Sequence, residues 1–238
     1  MLEQRFGGLT PGFIRRRLMR VEAAIERAID EFALATASGA RVLDAGCGEG
    51  AYVGRFPNAR VVGVDLAVGD SEWDYTGLDV RADLARLPFP DDSFDSCINI
   101  VTLEHVPEPA AVLTELGRVL QPGGRILIVA PQLWEVHQAP HDYFRFTRYG
   151  LERLLVQAGF DGVTIEPIGG FFTLLARRLA NSLNFFQGGV RWVLFPFVAV
   201  AALVPALLLP SLDFLDRKKD FTLAWKCQAR ASVRKESR

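Results

Sequence analysis

Apolar residues along the chain follow two rhythms. Near the N-terminus Ile14, Leu18, Val21, Ile25, Ile29 and Phe32 recur at spacings of three and four, the period of one helix face. Thr10-Pro11 supplies an N-cap and a first-turn proline, and Ser38-Gly39 ends the pattern. The polar face carries Arg15, Arg16, Arg17 and Arg20 with Glu22, Glu26 and Asp30. This helix is expected either to cover the core or to set its arginines against an anionic surface. Beyond it the rhythm changes. Short apolar runs at residues 41–46, 59–66, 78–84, 93–101, 124–131, 162–167 and 221–229 read as strands. Helical stretches fall between them: a short one through Tyr52 and Val53, then 107–120 and 147–160, with a Gln-Pro-Gly-Gly turn at 121–124. Alternation of this kind predicts an α/β fold, a doubly wound, mostly parallel sheet of seven strands.

One segment obeys neither rhythm. Residues 192–212 contain no charge and are mostly Leu, Val, Ala or Phe, which makes them an apolar insertion between strands six and seven. The predicted organisation is an N-terminal helix at 1–40, a core at 41–170, the insertion at 171–219, and a last strand with a basic tail at 220–238.

Composition alters this picture little. Of 238 residues, 50% are hydrophobic and 23% charged, as a packed globular core requires, and the net charge of −1 gives no field for a polyanion. No basic groove with interleaved aromatics appears, so no nucleic-acid partner is expected. Cys47, Cys97 and Cys227 match no zinc or disulfide spacing and read as buried thiols. The first twenty residues hold five arginines and no apolar signal core, so a cytoplasmic location is expected.

The chemistry starts at Val-Leu-Asp-Ala-Gly-Cys-Gly-Glu-Gly, residues 42–50, an apolar strand ending on Asp44 and opening into glycines. Gly46, Gly48 and Ala51 also satisfy a relaxed dinucleotide pattern, with Asp65 where a ribose acid belongs, so a nicotinamide enzyme competes. Asp44 argues against it: a pyrophosphate would face a carboxylate, whereas a cationic ligand would be favoured. With Asp65 closing the second strand, the stretch 81–95, the run 98–109 and the run 120–131, the chain resembles the class I S-adenosylmethionine-dependent methyltransferases, of the small-molecule, methyltransferase domain 11-like type. The resemblance implies a Rossmann-like sheet and S-adenosylmethionine as cofactor, held by Asp44, Gly46, Cys47 and Gly48. It further implies Asp65 on the ribose, Asp83 near the adenine amine, and Leu66 and Leu84 against the adenine faces.

The acceptor is expected at residues 137–147, just after the fifth of these strands. There His141 and Tyr143 are the expected catalytic pair, with His141 a base or orienting group. His105, Arg145 and Arg148 are the expected acceptor-binding residues, the arginines suiting an anion. Alternatively, the loop is a lid whose His and Arg pack on the next helix. The spacing of His137, His141 and Asp142 fits no metal template, and no metal is expected. The segment 192–212 is long enough to cross a bilayer, but Pro196, Pro205 and Pro210 should break or kink it. A return of the last strand to the sheet would also exclude a single span. Two readings stay open: peripheral membrane contact flanked by Arg177, Arg178, Arg191, Arg217, Lys218 and Lys219, or a cap or dimer contact. The first implies a small or lipid-linked acceptor methylated on oxygen or nitrogen at the inner membrane face. The second implies a soluble metabolite enzyme. A third possibility is a protein that binds S-adenosylmethionine without catalysis.

Overall fold

The computed structural model describes residues 19–69, 72–186 and 189–233. The chain divides into two compact units. The larger draws on Arg27–Glu166 and Ala224–Arg238, the smaller on Met1–Glu26 and Pro167–Leu223.

The larger unit is built on a seven-stranded sheet in the order β3-β2-β1-β4-β5-β7-β6. Its strands are β1 (Arg41–Ala45), β2 (Arg60–Asp65), β3 (Val80–Arg81), β4 (Phe94–Ile100), β5 (Leu120–Pro131), β6 (Phe160–Ile168) and β7 (Ala224–Ala231). Strands β1 to β5 run parallel, and β7 lies antiparallel to β5, with Ile128 opposite Cys227. The expected doubly wound architecture is therefore present. The central strands β1, β4 and β5 are mostly apolar because both of their faces are covered, with Asp44, Ser96 and Asn99 as buried polar exceptions. Leu43, Cys97 and Ile126 are register partners across them and are buried.

Helices α2 (Pro109–Val119) and α3 (Arg148–Gln157) complete the cover with α1 (Arg20–Leu34). Proline at the start of α2 suits a turn whose amides have no helical partner. Thr147 caps α3 by accepting from the Gly150 amide. The α1 apolar stripe (Val21, Ile25, Ala28, Ile29 and Phe32) is buried as its spacing predicted. Among the described residues the helix runs from Arg20, and the expected cap at Thr10 and the arginines before residue 19 lie outside them. Arg125 closes its C-terminal end, donating to the Ala35 carbonyl at 2.8 Å with its guanidinium 4.7 Å above the Phe32 ring.

Three local expectations change. The helix expected after β1 is only a three-residue 3-10 turn, Val53–Arg55. The expected turn at 121–124 is a bulge inside a longer β5: Leu120 pairs with Phe94 and Arg125 with Ser96, so four residues face Asp95 alone. The expected third strand at 78–84 contracts to two residues, since the chain on either side bends away at Asp79 and Asp83 to bond backbone amides.

The smaller unit holds the apolar insertion as two packed helices, α4 (Phe171–Ser182) and α5 (Phe195–Leu208), with short 3-10 segments between and after them. Their buried positions are small (Thr173 and Ala176 on α4, Ala202 and Ala206 on α5), which permits close approach of the backbones. Proline does not stop α5 as expected; the helix continues through Pro205. The N-terminus of α4 has no cap of its own because Gly170 has no side chain. Instead Asp213 accepts from the amides of Gly170, Phe172 and Thr173 at 3.0–3.1 Å, and Asp216 from Phe171 at 2.8 Å. Two carboxylates from beyond α5 thus satisfy the orphan donors and oppose the positive end of the helix dipole. Two of the cations expected at a membrane are already engaged: Arg177 pairs with Glu22 at 3.0 Å, and Lys219 donates to the Asp213 carbonyl.

Candidate active site

Strands β1, β2, β3, β4 and β5 end at one edge of the sheet, and the order reverses between β1 and β4, where a doubly wound sheet opens its crevice. The glycine turn lies there. Gly46 adopts φ +82° and a Cβ on it would stand 2.1 Å from Thr102 Cγ2, so no other residue fits. Its carbonyl accepts from Thr102 Oγ1 at 3.1 Å, which ties the turn to the end of β4. Asn99 of β4 adds a second tie, donating to the Ala45 carbonyl at 2.8 Å.

Four of the turn's amides are spent internally. Gly46 and Cys47 both donate to the Val64 carbonyl, Gly50 to the Cys47 carbonyl, and Gly48 to Asp65 Oδ2 at 3.0 Å. A pyrophosphate needs such donors pointed outward, and the turn instead presents acceptors. Asp44 is 1% exposed and its Oδ2 has no partner among the described residues. Burial first, and the charge of Asp65 second, push its pKa up to about 7. A buried, half-protonated carboxylate short of a donor is suited to a cationic ligand. Burial and the same two acids push the Cys47 thiol up to about 12, so it is no nucleophile and contributes backbone alone.

Asp65 ends β2 as expected, its oxygens already accepting from Gly48 and Ala67 (2.7 Å), which fixes the carboxylate for further donors. Leu66 and Leu84, expected against the adenine faces, stand in different surroundings. Leu84 belongs to the hydrophobic core with Leu87 and Phe94, while Leu66 is 46% exposed at the strand end. Asp83 is exposed and its Oδ1 accepts from Ala85 at 2.9 Å. Trp73, which the sequence reading passed over, lies over the turn: a Cβ on Gly48 would meet its ring at 3.1 Å, and Tyr75 beside it accepts from Gly69. Its signal was a Trp and a Tyr two residues apart in the loop after β2.

The loop after β5 folds back onto the 3-10 turn Leu103–His105 that follows β4, with the Tyr143 amide on the Glu104 carbonyl at 2.9 Å. His141 Nδ1 and the Tyr143 hydroxyl are 2.9 Å apart, so the expected pair does meet, and Tyr143 is 46% exposed. Arg145 departs from its expected role. It grips Asp142 with two bonds of 2.6 and 2.7 Å and donates to the carbonyls of Trp134, Phe144 and Glu135, so it shapes the loop instead of awaiting an anion. That grip holds the Asp142 carboxyl down at about 2. Arg148 lies over the Tyr149 ring at 4.5 Å.

His105 turns away from His141's ring and toward His137, the two Nε2 atoms 3.1 Å apart beside the Glu104 carboxylate. Burial works against charging His137, but Glu104, the Glu135 carbonyl and Asp142 together raise its pKa. Glu104 was not singled out from sequence. A Glu-His pair a few residues past the fourth strand was the available signal.

Fold and site together suit a cofactor-binding domain for a positively charged nucleoside, as in the class I S-adenosylmethionine-dependent methyltransferases that this chain resembles. Residues 43–128 match the methyltransferase domain family, and S-adenosylmethionine is the cofactor this similarity supports. Methyltransferase GfsG of Streptomyces halstedii is 38% identical over 164 residues, 63% of this chain and 51% of that protein. Among solved structures, the [4+2]-cyclase SpnF superposes with a TM-score of 0.59 at 25% identity, covering 90% of this chain and 83% of the other. The 1,6-didemethyltoxoflavin-N1-methyltransferase of Burkholderia thailandensis, solved with its substrate and S-adenosylhomocysteine, gives 0.57 at 20% identity over 89% and 80% of the two chains. The chain spans about half or less of the length of the curated relatives it matches.

Proposed function

We propose that the protein transfers a methyl group from S-adenosylmethionine to an oxygen or nitrogen of a small or lipid-linked acceptor, working at the inner face of the cytoplasmic membrane. The observation that carries the transfer is the acceptor-rich turn, where Asp44 and Asp65 surround a place four of whose amides are unavailable to phosphate. The fold alone does not select methyl transfer, because a protein named as a cyclase shares it. Turnover therefore has to be measured: methyl-labelled cofactor supplied to cell extract should label a small molecule or lipid. Tight cofactor binding with no labelled product in either the organic or the aqueous phase would replace this reading with a non-catalytic binding protein.

The membrane part rests on residues Phe195–Leu212, an 18-residue stretch long and apolar enough to cross a bilayer and only 17% buried. Phe197, Val200, Val204 and Leu208 lie exposed along it, with Phe214 and Leu215 following. Because β6 and β7 are neighbours in one sheet, the segment leaving β6 has to return to the side it left. This favours an interfacial seat over a span, and the exposed Arg191, Arg217 and Lys218 suit anionic headgroups. On liposome flotation the protein should rise with anionic vesicles, and Phe197→Asp with Val204→Asp should release it without loss of cofactor affinity. Recovery of the wild type in the soluble fraction would favour a cap or dimer contact instead.

A further inference from the structure

Glu104, His105 and His137 place one ligand atom each within 4.8 Å of one another. Glu104 is 0% exposed, and neither carboxylate oxygen has a hydrogen-bond partner among the described residues. A carboxylate without donors in a dry site demands a cation.

Both imidazoles are set to receive one. His105 Nδ1 is 2.6 Å from the His141 carbonyl and His137 Nδ1 is 3.0 Å from the Glu135 carbonyl. A carbonyl only accepts, so each ring carries its proton on Nδ1 and turns a bare Nε2 inward. The two Nε2 atoms stand 3.1 Å apart, and 3.8 and 3.6 Å from Glu104 Oε1. The three ligand atoms lie within 3.8 Å of one another. A single proton shared between the two nitrogens leaves Glu104 only charge contacts at 3.6 and 3.8 Å. A metal ion bonds all three: nitrogens at about 2.0–2.1 Å from a tetrahedral zinc stand roughly 3.3 Å apart, a few tenths of an ångström from the separations here.

We propose that Glu104, His105 and His137 bind a divalent first-row transition ion of the zinc class through the two Nε2 atoms and a Glu104 oxygen. Two imidazoles and one carboxylate suit this class and not magnesium or calcium, which take oxygen ligands. Around it, Asp142 accepts from the His137 amide at 2.9 Å and is itself clamped by Arg145, which gives those two residues a positioning role. Three protein ligands leave a coordination position open. The turn that carries Glu104 and His105 begins at Thr102, which touches Gly46, so the ion lies next to the cofactor turn. If the chain is a methyltransferase, as proposed above, the open position takes an acceptor hydroxyl and eases its loss of a proton to solvent. The oxygen then attacks the methyl carbon as the carbon–sulfur bond breaks, leaving a neutral thioether.

The test is metal binding by the full-length protein, which does not depend on turnover. Chelator-treated wild type should take up one equivalent of Zn²⁺ by calorimetry, and Co²⁺ should show the intense visible bands of a four- or five-coordinate site. Glu104→Gln and His137→Ala should each weaken binding by about 100-fold or more, beyond the range usual for outer-sphere losses. S-adenosylhomocysteine affinity reports whether each variant is folded. Should both variants misfold, the Co²⁺ spectrum of the wild type decides alone. No stoichiometric uptake, a spectrum of hexaaqua type, or unchanged affinity in folded variants would overturn the site. Metal bound without any methyl transfer would instead count against the proposed reaction.

Discussion

Replacing Asp44 by Asn tests the charge logic of the cofactor turn. In the free protein the Asp44 carboxyl has its pKa pushed up to about 7 by burial and by Asp65, so below neutrality it holds a proton. A sulfonium and an ammonium beside it favour the ionised form. Binding below pH 7 therefore has to expel that proton, and affinity falls by up to about tenfold per pH unit. Between about pH 8.5 and about pH 5.5 the loss is roughly 30-fold, or about 2 kcal/mol. Calorimetry in two buffers of different ionisation enthalpy should count nearly one proton released per cofactor at the acid end and almost none at the alkaline end. Asp44→Asn should bind weakly with no such slope. The free protein carries the opposite sign: between about pH 4 and about pH 7 its native state holds more protons than its unfolded state, so stability falls as pH rises, by at most on the order of 4 kcal/mol. Ligand-free Asp44→Asn should accordingly melt higher than wild type at pH 8. A flat wild-type affinity with no proton release would refute the placement of the cation beside Asp44.

Gly46→Ala forces a Cβ to 2.1 Å from Thr102 Cγ2 at a positive φ, so it should lower thermal stability and cofactor affinity together. Adding Thr102→Ala should relieve only part of the clash, because the Thr102 Cβ itself would stand at 2.8 Å. Thr102→Gly should instead leave chiefly the backbone strain of about 1–2 kcal/mol, separable by denaturant melts. Asp213→Ala strips the acceptor from three amides at the start of α4 and should cost about 1–3 kcal/mol, with Asp213→Asn recovering part of it. Leu127→Ala opens a cavity in the middle of the sheet and should cost about 2–5 kcal/mol in urea unfolding with the cofactor contacts intact.

The sheet was legible because its information is local and repeated. Every central strand is a mostly apolar run that only a two-sided burial explains, and the acids that end them stand at one edge once the strands are parallel. The His141–Tyr143 pair was legible too, since two residues of separation in a short loop keep them close. What sequence spacing could not reach was the spending of hydrogen bonds. Arg145 read as a spare cation until Asp142 was found in its fork. The cap of α4 comes from more than forty residues away, beyond any local motif.

For this protein the order of apolar runs, glycines and strand-end acids determined the fold class and the methyl donor, because each is a property of a few neighbouring residues under a simple period. Only the tertiary structure decided that Asp44 is dry and short of a donor, and that four of the turn's amides are already used. Only it brought His137 across from the loop after β5 to His105 and Glu104 after β4. Burial and pairing depend on which distant segments arrive together, and a sequence read in order carries no distance between them.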